Sequence, residues 1–163
     1  MLASRPFTNA RPVRAARAAT RPVTVRVQAA ATNVSLRQLL DDASAAGLGK
    51  TRFIVIGDAI LESVNEWAAV RYNETPSRGL LATIASEDKS FECHIPLSKV
   101  KEVKFAKSKA KAGDYDVYAT RFFGEDGKVI LSCVLHGSAG QYDPKSVAAW
   151  TSLAQKYGES VKF

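Results

Sequence analysis

The chain reads as an α+β domain: an antiparallel β-sheet meander flanked by an N-terminal and a C-terminal helix. Three observations predict this. After residue 33, helical periodicity occurs only near the two ends. Between those ends lie short runs rich in β-branched and aromatic residues. The runs are separated by gaps the size of turns, too short for the crossover that a parallel strand pair needs.

The elements follow in order. Val34 to Ala46 predicts the first helix, with Asn33 or Ser35 as cap, Val34, Leu36, Leu39, Leu40 and Ala43 as its apolar stripe, and Gly47 and Gly49 ending it. Arg52 to Ile56 and Ala59 to Val64 predict two strands around a Gly57-Asp58 turn. Gly79 to Ala85 is a third strand, Phe91 to Ile95 a fourth and Val100 to Ala106 a fifth, the last alternating with period 2. Lys107 to Gly113 reads as a basic loop. Tyr115 to Phe123 and Lys128 to Leu135 flank Gly124-Glu125-Asp126-Gly127, a hairpin signal. Asp143 or Pro144 opens a last helix to about Tyr157, with Val147, Trp150, Leu153 and Ala154 on one face.

Charge divides the chain. Seven arginines and no carboxylate occur in the first 40 residues, and the first acidic residue is Asp41. An Arg-, Ala-, Thr- and Pro-rich start that ends in small residues after Val25-Arg26-Val27-Gln28 is the composition of an organellar transit peptide. Residues 1–30 are therefore expected to be a cleaved, disordered transit peptide, and residues 31–163 a single domain. Pro6 and Pro12 disfavour an amphipathic helix, and the end of the segment resembles plastid processing sites. The expected destination is the chloroplast stroma, with the mitochondrion as alternative. A basic arm that stays attached is the other reading. Of 23 basic and 16 acidic residues, the six arginines of residues 1–30 account for nearly the whole net charge of +7, leaving +1. The remainder has no electrostatic footprint for nucleic acid. No run approaches the 18 apolar residues of a membrane span.

Enzyme signatures are lacking. Gly47-Leu48-Gly49-Lys50-Thr51 ends like a phosphate-binding loop, but Ser44 stands where its first glycine belongs, and the segment joins helix to strand in the wrong order. Cys93, Cys133, His94 and His136 could in principle hold zinc. Cys93 and His94, however, are adjacent on a strand and point to opposite faces, so no metal other than haem iron is expected. The two cysteines form no disulfide framework.

From Phe91-Glu92-Cys93-His94-Ile95-Pro96-Leu97-Ser98 onward the chain resembles a known family. A strand with a His, a Ser-containing turn, the apolar strand Val100 to Phe105, the hairpin Arg121-Phe122-Phe123-Gly124-Glu125-Asp126-Gly127-Lys128-Val129-Ile130, and a Gly137-to-Trp150 loop and helix are similar in order to the bacterial haem-utilisation carriers of HemS/ChuX/HutX type. The leading helix and Arg52 to Val64 fit that family's start. The resemblance implies an antiparallel sheet that holds a porphyrin, and a homodimer of single repeats. His94 falls at the family's strand histidine. Val70-Arg71-Tyr72-Asn73 has no His where the family has one.

A haem site needs an axial donor, an apolar slot and cations for the propionates. His94 and His136 are the candidate iron ligands, because a neutral imidazole binds iron. Cys93 and Cys133 are alternative thiolate donors. Arg71, Arg78 and Arg121 are candidate propionate partners, since a guanidinium grips a carboxylate in bidentate fashion. Lys99 to Lys111 reads as a solvated edge that discourages strand pairing. The expected function is binding of haem or a related tetrapyrrole, for trafficking or buffering rather than catalysis. Two alternatives stand beside it: an interaction or assembly module that has lost the ligand, and a haem-degrading enzyme. Degradation needs an electron donor, for which the sequence has no flavin or nicotinamide motif.

Overall fold

The structure, a computed structural model, describes residues 34–111 and 113–163. The expected transit segment lies outside them. Two helices and nine strands follow in the order α1 (Leu36–Ala46), β1 (Lys50–Ile56), β2 (Ile60–Glu66), β3 (Val70–Thr75), β4 (Gly79–Ala85), β5 (Glu92–Pro96), β6 (Glu102–Lys109), β7 (Asp116–Phe123), β8 (Val129–Leu135), α2 (Pro144–Tyr157) and β9 (Ser160–Lys162), with a 3-10 turn at Leu97–Lys99. The α+β class, the antiparallel pairing and the two flanking helices are as the sequence predicts.

Local chemistry explains the helix ends. Ser35 caps α1 by accepting from the Gln38 N–H at 3.1 Å, and Gly47 closes it in the left-handed region. Asp143 caps α2 by accepting from the Lys145 N–H at 2.9 Å, with Pro144 in the first turn, where a missing N–H costs nothing. The inward face of α2 is Ser146, Trp150, Leu153 and Tyr157; the expected Val147 and Ala154 are only half-buried, because the contact runs straight along every third or fourth residue.

The strands divide into two sheets. One has six strands in the order β2-β1-β8-β7-β6-β9, and the other has three in the order β3-β4-β5. The meander is thus interrupted: β1 pairs with β8 through Thr51–Leu135 and Val55–Leu131, while β3, β4 and β5 leave to form their own layer. Strands β3 and β9 lie where no strand was expected, and Lys107 to Lys109 extend β6 rather than forming a loop. Their partner supplies the reason, since Lys107 and Lys109 pair with Asp116 at 3.0 and 3.4 Å across to β7.

The core lies between the two sheets and the helices. Phe53 of β1 stacks on Trp67 (5.7 Å between centroids) and meets Phe91 at 4.8 Å, which joins the layers. Cys93, Ile95, Ala82 and Ile84 face Phe122, Leu131, Cys133 and Val103 within one buried cluster. On the helix side Trp150 packs edge-on against Tyr118 and Phe105. Trp67 and Trp150 are structural, as expected. The Tyr72 hydroxyl donates to Asp41 Oδ1 at 2.7 Å and lies 3.1 Å from the Arg37 carbonyl, tying β3 to α1.

Candidate functional site

Register across the small sheet assembles the candidate site. Arg71 of β3 lies opposite Thr83 of β4, and Thr83 opposite His94 of β5. Residues directly opposed in an antiparallel pair share a face, with Cβ atoms about 5 Å apart. Arg71, Thr83 and His94 therefore form one row across three strands. Period-2 alternation sends Tyr72, Ala82 and Ile95 to the core face, so the row looks outward. The same alternation puts Asn73 and Glu92 beside it.

These side chains are bonded to one another. Thr83 Oγ1 lies 3.2 Å from Asn73 Oδ1 and 2.9 Å from His94 Nδ1. His94 Nε2 lies 3.4 Å from Glu92 Oε2, and the imidazole is 44% exposed. Nδ1 is thus held by Thr83 while Nε2 faces the Glu92 carboxylate. A ligating histidine likewise has one ring nitrogen fixed by an outer hydrogen bond.

The other candidates stand elsewhere. His136 is half-buried just past β8 in the large sheet, its backbone N–H donating to the Lys50 carbonyl at 2.9 Å. Gly137 follows it because the Gln141 carbonyl passes 2.6 Å from where a Cβ would sit. Arg78 is exposed in the β3–β4 turn, and its backbone N–H donates to Thr75 Oγ1 at 3.2 Å. Arg121 is exposed on β7, opposite Lys104 and Ser132 in the large sheet. Of the candidates, the structure brings together His94 and Arg71; His136 and Arg121 belong to the other sheet.

The two thiols, Cys93 and Cys133, lie in the core and not on the face that carries His94. Cys93 and Cys133 are both buried free thiols in the core cluster. Burial pushes the Cys93 thiol up to about 11, and burial together with its neighbour Cys93 raises Cys133 well above the ordinary range. Unligated, both stay protonated at neutral pH. Among the described residues no three His, Cys, Asp or Glu side chains gather as a metal site. An open hollow of about 430 Å³ between α1 and α2 is lined by Asp42, Ala45, Ala149, Leu153 and Lys156, and no candidate residue reaches it.

Sequence reasoning missed Asn73 and Thr83 because β3 was not foreseen and Thr83 is a lone polar residue in an apolar strand. The Glu92-x-His94 spacing was legible, since i and i+2 share a strand face.

Searched by sequence, the chain matches no protein-family profile and no curated protein. Its fold has relatives among solved structures. An Erwinia carotovora protein superposes with TM-score 0.57 at 20% identity, over 74% of this chain and 70% of that one. ChuX gives 0.57 at 18%, over 73% and 69%. ChuS, an E. coli haem oxygenase, also gives 0.57 at 18%, over 75% of this chain, which spans only 35% of that protein. The fold is therefore that of the ChuX/HemS-type proteins, and a second structure of ChuX describes it as a haem-binding protein.

Proposed function

We propose that this protein binds haem or a related tetrapyrrole in the chloroplast stroma and carries or buffers it without breaking it down. The observation that supports this most is the Arg71–Thr83–His94 row. It offers an imidazole nitrogen to an iron and a guanidinium to a propionate on the outward face of the small sheet, with Thr83 buried between them. His94 would be the iron donor and Arg71 the propionate partner, with His136, Arg78 and Arg121 as alternatives. When bound, the iron would supply the coordination that holds the tetrapyrrole; the chain's part is to aim the nitrogen and neutralise the carboxylate.

Fit to a porphyrin is incomplete in a single copy. The row supplies the donor and the cation, but the two ends of the row, Arg71 and His94, stand exposed with no apolar slot between them. A homodimer is the proposed source of the second wall. Likeness to ChuS favours haem degradation as a second reading, on the fold alone. A module without ligand is the third.

Haemin titration of the full chain followed by absorbance tests the reading. A Soret band that saturates at one haem per chain or per dimer is expected. A titration that never saturates, with the spectrum of free haemin, leaves the module as the function.

A further inference from the structure

The outward face of the large sheet carries apolar residues where solvent favours polar ones. The other described layers attach to its opposite face: Phe53 meets Phe91, just before β5, and Thr120 accepts from Trp150 of α2. With Phe53 turned inward, alternation turns Arg52 and Ile54 outward. Register then sets two rows across the outward face. One runs Glu62–Ile54–Ser132–Arg121 over β2, β1, β8 and β7, and the next runs Val64–Arg52–Val134–Ala119 over the same strands. Both rows are graded in the same sense. On the β2 side the side chains stand out, with Val64 41% exposed; on the β8 and β7 side they are short and sunk, with Ser132 at 7% and Ala119 at 2%. Charge follows the same gradient, an acid at Glu62 and a base at Arg121. Glu62 leans on Arg52 at 3.6 Å, whereas no ion pair among the described residues uses Arg121.

We propose that this face docks on the same face of a second copy, sheet on sheet. A twofold axis along the strands, over the boundary between β1 and β8, turns β2 onto the other copy's β7 and β1 onto its β8. The rows then meet in reverse order. Glu62 lies against the other copy's Arg121, Ile54 over its Ser132 and Val64 over its Ala119, and symmetry repeats each contact. A protruding side chain meets a sunken one at both apolar positions. Arg121, desolvated in such a pair, finds in Glu62 the carboxylate that its own chain does not give it. An axis across the strands would set each strand on itself and Arg121 against Arg121, which like charge opposes. Four strands about 4.8 Å apart and seven residues of about 3.4 Å make about 450 Å² of flat area per copy. Side-chain relief raises the pair's total to the roughly 1,000 Å² that a specific interface needs. The inference takes only the second copy from the reading above; no tetrapyrrole enters it.

Sedimentation of the full chain at micromolar concentration, without haemin, is the test. The unaltered chain should give twice the monomer mass. Arg121→Glu alone and Glu62→Arg alone each set like charges against each other twice, and each should weaken pairing on the order of a hundredfold, leaving monomer at the same concentration. An equimolar mixture of the two variants should pair again, because each meets opposite charge on the other at both positions. Recovery in the mixture also shows that the single variants are folded. Ala119→Leu, which fills the hollow beneath Val64, should give monomer as well, with far-UV circular dichroism reporting an intact fold. Single variants that stay paired overturn the face and leave the β2 edge as the joint. Variants that stay monomeric in the mixture overturn the Glu62–Arg121 contact. A monomeric unaltered chain overturns the inference whatever haemin does, and the stated pairing pattern without a Soret band on added haemin keeps it while removing the tetrapyrrole reading.

Discussion

The indole N–H of Trp150 donates to Thr120 Oγ1 at 3.1 Å, entirely inside the protein, and this bond pins α2 to β7. Trp150 is 5% exposed and Thr120 4%, so neither group has water as a substitute. Thr120→Val keeps the shape but leaves a buried donor unpaired, and should cost about 1–3 kcal/mol. Trp150→Ala removes the bond together with the contacts to Phe105 and Tyr118, and should cost about 3–5 kcal/mol. Urea unfolding followed by far-UV circular dichroism measures both; equal costs would mean that packing contributes nothing beyond the bond.

The buried thiols make stability depend on alkaline pH. An unfolded cysteine loses its proton near pH 8.5, whereas the folded Cys93 holds it up to about 11. Below roughly pH 8.5 both states are protonated, and the contribution is fully present. Above it the unfolded chain releases protons that the folded one keeps, so stability falls as pH rises towards about 11. Urea midpoints should therefore drop between neutral and strongly alkaline pH, and less so in Cys93→Ala/Cys133→Ala. At neutral pH a thiol reagent should modify native protein slowly and urea-unfolded protein at once.

Ligation separates the two histidines. His94→Ala should shift or abolish the haemin Soret band and weaken affinity on the order of tenfold or more, since about 1.4 kcal/mol corresponds to a factor of ten. His136→Ala should leave both nearly unchanged. The reverse result would move the site to the end of β8. Arg71→Ala should weaken binding with the band in place, because a propionate contact does not touch the iron.

Self-association has a surface to use. Strand β2 is an edge of the large sheet, and Ile60 and Leu61 at its start are 68% and 67% exposed, with Val55 and Ile56 facing solvent across the turn. An apolar edge of this kind invites pairing, and a symmetric pair would use the same strand from both copies. Sedimentation at micromolar concentration should give twice the monomer mass, and Ile60→Lys/Leu61→Lys should give the monomer. A monomer in the unmodified chain would remove the proposed second wall of the site.

Removal of the basic start has a direct readout. Mass spectrometry of protein isolated from cells should find an N-terminus between roughly Gln28 and Asn33, as the transit-peptide composition predicts. Intact Met1 in protein from chloroplast-free cytosol would rule out import with cleavage.

The sequence by itself determined what is local. Ser35, Gly47, Asp143 and Pro144 act within a turn or two of their own helix, so both helices were legible to within two residues. The hairpin through Gly124 to Gly127 was legible because Gly127, at φ 73°, supplies the backbone geometry the turn needs. His94 and Arg71 could be named as chemistry, but not as neighbours. Only the tertiary structure decided that β1 lies beside β8, that β3 to β5 form a separate layer, and that β3 and β9 are strands at all. Periodicity reports which face of a segment is apolar, and β3, with only Val70 and Tyr72 turned inward, carries too few such residues to announce itself. The row Arg71–Thr83–His94 depends on the register of three strands, and register is set by which partners bury their apolar faces together. The hydrogen bonds from Asn73 through Thr83 to His94 exist only once that long-range choice is made.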